Sequence, residues 1–376
     1  MLSDPQFSPA DHAHMAAALR LAARGMNSTH PNPRVGCIVA RKGRVIGEGW
    51  HQRAGGPHAE IHALAQAGEA ARGATAYVTL EPCAHHGRTP PCTDALIAAG
   101  LDRVVVAHAD PFGQVDGRGV DRLRAAGIDV DVGLMAAQAR ELNRGFLCRV
   151  QHGRPWVRIK LAMSLDGRTA LANGDSKWIS GEAARADVQV WRARSSAILS
   201  GIGSVLADNP RLTVRTAPGG EEKGEGVPAL APLRVILDSR LRTPADSHVL
   251  DGAVPTLVMH APDAHVADAR FGKVERLAVE IANDRLDLKS VLAELARREI
   301  NELQVEAGPI LCGALLDGGW MDELLLYVAP VLLGDSARPL LNLHALSDMA
   351  ARWKLKPFDE RRVGDDWRLL LRPEES

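Results

Sequence analysis

The feature that most constrains this chain is a double alternation. Strand-like and helix-like segments take turns over the first 150 residues, stop at a short polar hinge, and begin again. Ser8-Pro9 followed by HMAAALRLAARG predicts a capped helix with Pro at its first position and Gly25 near its end. VGCIVA and RVIGEGW, joined across Arg41-Lys42-Gly43, predict a hairpin. HAEIHALAQAGEAAR reads as a helix, AYVTLEPC as a strand running into a loop, PCTDALIAAG as a helix ending at Gly100, and RVVVAHAD as a buried strand. VDRLRAAG, IDVDVG and AAQARELNRGFLCRV continue the alternation. Gln151-His152-Gly153-Arg154-Pro155 is the hinge. Beyond it WVRIKLAM, AILSG, LRVILD, TLVMHA, LQVEAG and ELLLYVAPVLL read as strands, and EAARADVQVWRARS and LKSVLAELARRE as helices. Ala217–Pro232, rich in Gly, Pro and Glu, reads as a surface loop. Alternation of this kind makes layered α/β sheets, so two α/β domains are expected, at 1–150 and 155–376.

Composition narrows the function. With 376 residues, 46% of them hydrophobic, there is material for two cores. A formal net charge of -1 leaves no electrostatic footprint for nucleic acid or for an acidic membrane surface. No apolar run approaches the roughly 20 residues that span a bilayer, and MLSDPQFSPADHAH lacks the basic start and apolar stretch of a signal peptide. Five cysteines, an odd number in a chain this long, do not form a disulfide framework. A cytoplasmic, reducing setting is expected. Cys83 and Cys92, close together among His, Glu and Pro, then suggest a metal.

The sharpest pattern is His58-Ala59-Glu60, then Pro82-Cys83, then Cys92. Removing an exocyclic amine from a pyrimidine needs hydroxide at neutral pH. A zinc ion with three protein ligands and an open position lowers the pKa of bound water enough to supply it. One imidazole and two thiolates suit that ion, and Glu60, two residues from the His, can carry the proton. The order matches the zinc deaminase signature H-x-E…P-C-x-x-C. It departs in spacing, because eight residues separate the two Cys. A longer loop reshapes the pocket rim and argues for a substrate other than cytidine. His58 at the start of an ordinary helix, with two Cys as small hydrophobes, is the bland alternative. A zincin pair of His58 and His62 fails because Glu does not directly follow the first His. His85 and His86 are read as pocket residues, with ligation by one of them as the lesser alternative.

THPNPRVGCIV, GEGWHQRAGGPHAE and TLEPCAHHGRTPPC resemble the deaminase half of the bifunctional riboflavin biosynthesis family. That resemblance implies a cytidine-deaminase-like three-layer α/β/α domain with His58, Cys83 and Cys92 as zinc ligands and Glu60 as proton carrier. The long Cys spacing is itself the family's pattern. Asn32, His51 and His85 are similar to positions that line its substrate pocket.

In the second half no G-x-G-x-x-G follows a strand, which argues against a Rossmann site. Two Gly-bearing turns, Ser200–Ser204 and Glu306–Pro309, offer backbone amides to a phosphate, although taken alone an ordinary tight turn is the better reading of either. KLAMSLDGRTA, GDSKWIS, VLADNPRLTVR and VEAGPILCGALL resemble the reductase half of the same family, whose fold is similar to dihydrofolate reductase. The resemblance implies NADPH contacts at Ala162, Trp178, Ser204, Asp208, Ser239 and the run Gly308, Pro309, Ile310, Leu311, Cys312, Gly313, Ala314. It implies substrate contacts at Ser176, Arg192, Leu212, Arg215 and Glu306. Singly, Trp178 and Leu212 also fit core packing, and the two arginines fit surface charges. An imine carbon that takes hydride leaves a nitrogen needing a proton, and Lys160 and Asp208 are the candidates to supply it or to orient the sugar. Arg192 and Arg215 offer planar forks for a phosphate.

The expected activity is therefore sequential: zinc-dependent deamination of diaminohydroxyphosphoribosylaminopyrimidine, then NADPH-dependent reduction of its ribosyl group to ribityl. The expected partner is that small phosphoribosylated pyrimidine, with neither nucleic acid nor membrane, and the expected assembly is a homo-oligomer. The rivals are a nucleoside or tRNA deaminase with an appended nucleotide-binding domain, and a zinc-stabilised nucleotide sensor without chemistry.

Overall fold

The computed structural model describes residues 7–84, 91–111, 117–215, 229–266 and 269–374. The loop read over Ala217–Pro232 lies mostly outside them. Two compact units divide between Gly153 and Arg154. Ala229 and Leu230 group with the first unit, where the Leu230 N–H donates to Asn27 O at 2.9 Å.

In the first unit α1 (Pro9–Ala23) begins at Ser8. The Ser8 hydroxyl accepts the Asp11 N–H while the Asp11 carboxylate accepts the Ser8 N–H, so two orphan donors are satisfied at once. There follow β1 (Gly36–Arg41), β2 (Arg44–Trp50), α2 (Ala59–Ala67), β3 (Thr75–Val78), α3 (Cys92–Ala98), β4 (Arg103–Val106), α4 (Arg118–Ala125), β5 (Asp129–Val132), α5 (Ala136–Leu142) and α6 (Arg144–His152). The strand order is β2-β1-β3-β4-β5, with β1 antiparallel to both neighbours and β3, β4 and β5 parallel. Side chains alternate across a strand. Cys37 and Val39 accordingly join Ala59, Ala63, Leu96 and Leu123 on one face, and Ile38 and Ala40 join Met15, Ala18 and Ala139 on the other. Helices thus cover both faces. Gly36 allows α1 to lie directly on β1, since a Cβ there would come within 2.0 Å of Ala18 O.

AAQARELNRGFLCRV forms two helices rather than one. Asn143 leaves the helical region (φ −108°, ψ 16°), and its side chain accepts the Arg34 N–H and donates to Arg34 O. A tertiary hydrogen-bond pair here overrides helix continuity.

The second unit runs β6 (Trp156–Ser164), β7 (Arg168–Ala170), α7 (Glu182–Ala193), β8 (Ala197–Gly201), α8 (Ile202–Asp208), β9 (Leu233–Leu237), β10 (Thr256–His260), β11 (Glu275–Ala278), β12 (Ile281–Ala282) and β13 (Arg285–Leu286). It continues with α9 (Leu288–Arg297), β14 (Glu302–Val305), α10 (Pro309–Asp317), β15 (Glu323–Ala329), β16 (Arg338–Pro339), β17 (Leu355–Val363) and β18 (Asp366–Pro373). Nine strands form one sheet in the order β11-β10-β9-β8-β14-β6-β15-β18-β17. It is parallel from β11 to β15 and antiparallel beyond. On β6, Val157, Ile159 and Leu161 enter the main core. The opposite face carries Arg158, wholly buried, whose Nε donates to Glu323 at 2.6 Å and Nη2 to Glu302 at 3.0 Å. No helix among the described residues is long and apolar enough to cross a membrane.

Close packing at Gly36 makes a first prediction. Gly36→Ala must push α1 off β1 and should cost about 1–3 kcal/mol, the usual range for overpacking. Urea unfolding followed by a probe in the first unit will measure it, and an unchanged midpoint would contradict the contact.

Two candidate active sites

Three helix starts and loop ends bring the first site together. His58 is the residue before α2, Cys83 follows β3, and Cys92 opens α3. One ligand atom from each lies within 4.8 Å of the others, the only such group among the described residues. His58 Nδ1 is 3.1 Å from Cys92 Sγ and 3.6 Å from Cys83 Sγ, and the Cys92 N–H donates to Cys83 Sγ at 3.3 Å. Hydrogen bonds from the Cys92 thiol, from His58 and from the Cys92 amide outweigh burial and lower the Cys83 thiol to about 4. An imidazole and two thiolates in such a cluster suit zinc.

Glu60 lies in the first turn of α2 and is 3% exposed. Burial raises its carboxyl above the ordinary range, with His58 opposing, and its Oε2 is buried with no hydrogen-bond partner among the described residues. His51 is buried and fixed at both ring nitrogens: Nδ1 meets Pro57 O at 3.1 Å and Nε2 meets the Asn32 amide at 3.1 Å. Its ring stands edge-on to His58 at 5.3 Å. Since Pro57 O accepts only, Nδ1 carries the proton and Nε2 accepts from Asn32. Burial lowers the His51 pKa, against the opposing Pro57 hydrogen bond. His85 and His86 lie outside the described residues.

The second site is a cavity of about 1200 Å³ in the second unit, across the ends of β6, β8, β9 and β14. At its centre Arg192 donates through Nε and Nη2 to the two Glu306 oxygens, each at 2.7 Å, and through Nη1 to Thr213 O at 2.8 Å. Gln304 also donates to Glu306 at 2.8 Å. Burial alone would raise the Glu306 carboxyl, but the Arg192 charge and hydrogen bonds, with Lys160, hold it at about 2. Burial lowers the Lys160 ammonium, Glu306 opposes the shift and Arg192 adds to it. Lys160 Nζ lies 5.8 Å from the Tyr327 ring.

Comparison with known proteins now decides the family. Residues 155–367 match the RibD C-terminal domain, and residues 8–108 match the cytidine and deoxycytidylate deaminase zinc-binding region. The riboflavin biosynthesis protein RibD of Escherichia coli is 48% identical over 361 residues, covering 95% of this chain and 97% of the relative. That of Haemophilus influenzae is 47% identical, covering 98% and 99%. Among solved structures, Acinetobacter baumannii RibD superimposes with a TM-score of 0.89 at 44% identity over 97% of this chain and 99% of that one. A Thermotoga maritima deaminase/reductase superimposes with a TM-score of 0.84 at 34% identity, with 97% and 99% coverage. The chain belongs to the RibD family. As a RibD it is a bifunctional enzyme of riboflavin biosynthesis, a deaminase followed by a reductase, with Zn2+ and NADPH as cofactors. Its first domain is of the cytidine-deaminase kind and its second resembles dihydrofolate reductase. A nucleoside or tRNA deaminase with an appended domain is not favoured.

Not every expected contact of this RibD faces its cavity. The residues singled out in the second half line it except Cys312 and Gly313. Cys312 is fully buried, its thiol donating to Ala307 O at 3.3 Å, and a Cβ on Gly313 would come within 2.2 Å of Asn342 O. Both sit on the helix face turned away from the cavity. Arg192 does not offer a free fork either, because Glu306 occupies it. Arg215 donates its backbone N–H to Gln189, and no side-chain hydrogen bond of it is seen among the described residues. Arg211 and Arg242 also line the cavity and were not anticipated, since a lone Arg in a loop carries no pattern.

The Arg192–Glu306 pair sets an acid limit. An unfolded Glu titrates near about 4.3, while here the value is about 2. The stability it contributes is therefore complete above the unfolded value and lost as pH falls toward the folded one. Urea midpoints of the second unit should decline over that window, and Glu306→Gln should flatten the decline. An equal slope in both proteins would exclude this pair as the source.

Proposed function

We propose that residues 1–150 deaminate diaminohydroxyphosphoribosylaminopyrimidine and that residues 155–376 then reduce the ribosyl group of the resulting aminouracil phosphate to ribityl. The names of the Thermotoga relative's two activities support this assignment. The observation that carries it is the Glu60 oxygen beside the His58–Cys83–Cys92 group, buried and without a hydrogen-bond partner among the described residues. A purely structural metal site has no use for such an atom.

His58, Cys83 and Cys92 fit zinc as its three protein ligands. When bound there, the ion supplies a Lewis acid that makes water reactive at neutral pH. Glu60 takes one proton from the water and passes it to the ring nitrogen, then carries the second, from the resulting hydroxyl, to the amine, which departs as ammonia. A carboxyl held above its ordinary range by burial is suited to that exchange. His51 and Asn32, locked to each other, present a neutral donor–acceptor edge for the pyrimidine.

NADPH, when bound along Ala162, Ser204, Ser239 and the start of α10, supplies hydride. Lys160 holds a proton at Nζ for the imine nitrogen, and its lowered pKa eases the transfer. Arg192 fixes Glu306, whose remaining lone pairs suit a sugar hydroxyl. Arg215 meets the substrate phosphate, and Ser176, Leu212, Trp178 and Asp208 shape the walls. Composition supports a cytoplasmic setting. The β17 edge of the sheet, with Phe358 exposed on it and Trp367 on the neighbouring β18, supports a homo-oligomer.

Two predictions follow the two chemistries. Glu60→Gln should abolish ammonia release while metal analysis still finds zinc, whereas Cys83→Ser or Cys92→Ser should lose zinc and Cys37→Ser, Cys148→Ser and Cys312→Ser should keep it. Zinc loss in Glu60→Gln, or retention in both ligand variants, would sink the assignment. In the second domain, Lys160→Ala should slow NADPH oxidation by about 100-fold or more, the lower range for a lost proton-transfer group, and Asp208→Ala, which removes part of the cavity wall, should slow it as well, while ammonia release continues. Blocked deamination in a folded, zinc-loaded Asp208→Ala would show that the two activities are not separable.

A further inference from the structure

Glu81 is a buried carboxylate that none of the chemistry above uses. It is 4% exposed and stands two residues before the ligand Cys83. Its side chain accepts four backbone amides. Oε1 takes those of Gly119 at 2.9 Å and Val120 at 3.2 Å, and Oε2 those of Asp110 at 3.1 Å and Gly117 at 3.2 Å. Its own N–H donates to His108 O at 2.9 Å. Helix α4 starts at Gly117, which has no side chain to cap it. Gly119 and Val120 are its second and third residues, whose amides a cap ordinarily satisfies. Glu81 therefore caps α4 from another element, and in doing so ties the segment after β3 to the segment after β4.

The tie bears directly on the metal ligand. Gly119 packs so close to the chain that a Cβ there would lie 2.1 Å from Pro82 O, the residue joining Glu81 to Cys83. On the far side, Thr93 of α3 donates its N–H to Cys83 O at 3.2 Å and its hydroxyl to the same oxygen at 3.3 Å. Cys83 is thus bracketed, by α4 through Glu81 and Gly119 and by α3 through Thr93. We propose that Glu81 is a positioning residue of the deaminase, clamping the Pro82–Cys83 segment so that the Cys83 thiolate is held ready for zinc. This rests on the zinc reading of His58, Cys83 and Cys92. A glutamine at 81 keeps the shape but presents an NH2 group to at least one pair of donors, so the clamp opens without a cavity.

The test uses the full chain, with zinc transfer to a chromogenic chelator as the readout. Residues that orient metal ligands typically change affinity by about 10–100-fold, so Glu81→Gln should bind zinc more weakly by that factor. Added zinc should restore its deaminase kcat with KM unchanged, and its reductase rate should stay normal. Asp11→Asn, which breaks the buried Tyr77 and Arg103 contacts of α1, serves as a variant with lowered stability in the same unit. It should release zinc as the unsubstituted chain does. Equal zinc affinity in Glu81→Gln and the unsubstituted chain, or a loss matched by Asp11→Asn, would overturn the clamp. An unsubstituted chain that binds no zinc would overturn the metal reading instead. If Glu81→Gln does not fold, Gly119→Ala decides, because its Cβ would press on Pro82 O and on the Glu81 side chain while the carboxylate keeps its charge. Weakened zinc in that variant supports the clamp, and unaltered zinc refutes it.

Discussion

Helix starts govern this molecule. Each helix leaves its first backbone amides without intrahelical partners, and these must be met by a cap or by something else. Helices α1 and α9 are capped by the side chains of Ser8 and Asp287, and α4 by Glu81. Helices α2, α3, α8 and α10 begin at His58, Pro91, Gly201 and Gly308 with no side-chain cap. The second site is bordered as well by α7, which carries Arg192, and by the capped α9; those four border one site or the other. Without caps they are positioned by packing, as where Gly47 and Gly49 let α2 press onto β2 with Ala63 O and Ala59 O about where a Cβ would stand.

Burial of charge is the second theme. Along β6 the apolar residues Val157, Ile159 and Leu161 alternate with Arg158, Lys160 and Ala162. The second series meets Trp191 and Tyr327, with the Arg158 guanidinium 4.6 Å from the Trp191 ring. Arg158 is neutralised by Glu302 and Glu323, and Arg192 by Glu306. Lys160 is left near the cavity without so close a counter-ion. That difference in pairing makes one buried cation structural and the other available for proton transfer.

Much of this was legible in the sequence. The capped α1, the β1–β2 hairpin and the parallel strands announce themselves through Ser-Pro, Lys-Gly and runs of Val and Ile, and the metal trio through ordered spacing. What was hidden depends on tertiary contact. β17 reads LKPFDERRV, with too little apolar alternation to mark a strand that is mostly exposed. The break at Asn143 comes from Arg34, more than a hundred residues away. Cys312 and Gly313 were taken as contacts because they lie in a matching run, yet a helix turns successive residues through about 100° and aims some of them inward. Glu81 gave no signal because its partners are amides.

The cavity of the second unit has one more consequence. Among its described lining residues nine are Lys or Arg, against Asp208 and Glu306. A concave surface with that imbalance focuses a positive field outward and draws in anions faster than diffusion alone would bring them. Every ligand of a reductase acting on a phosphorylated sugar with a phosphorylated cofactor is an anion, products included. The same field that hastens arrival therefore delays departure. Counter-ions shorten the field to about 8 Å at physiological salt, so ionic strength shifts the balance between encounter and escape.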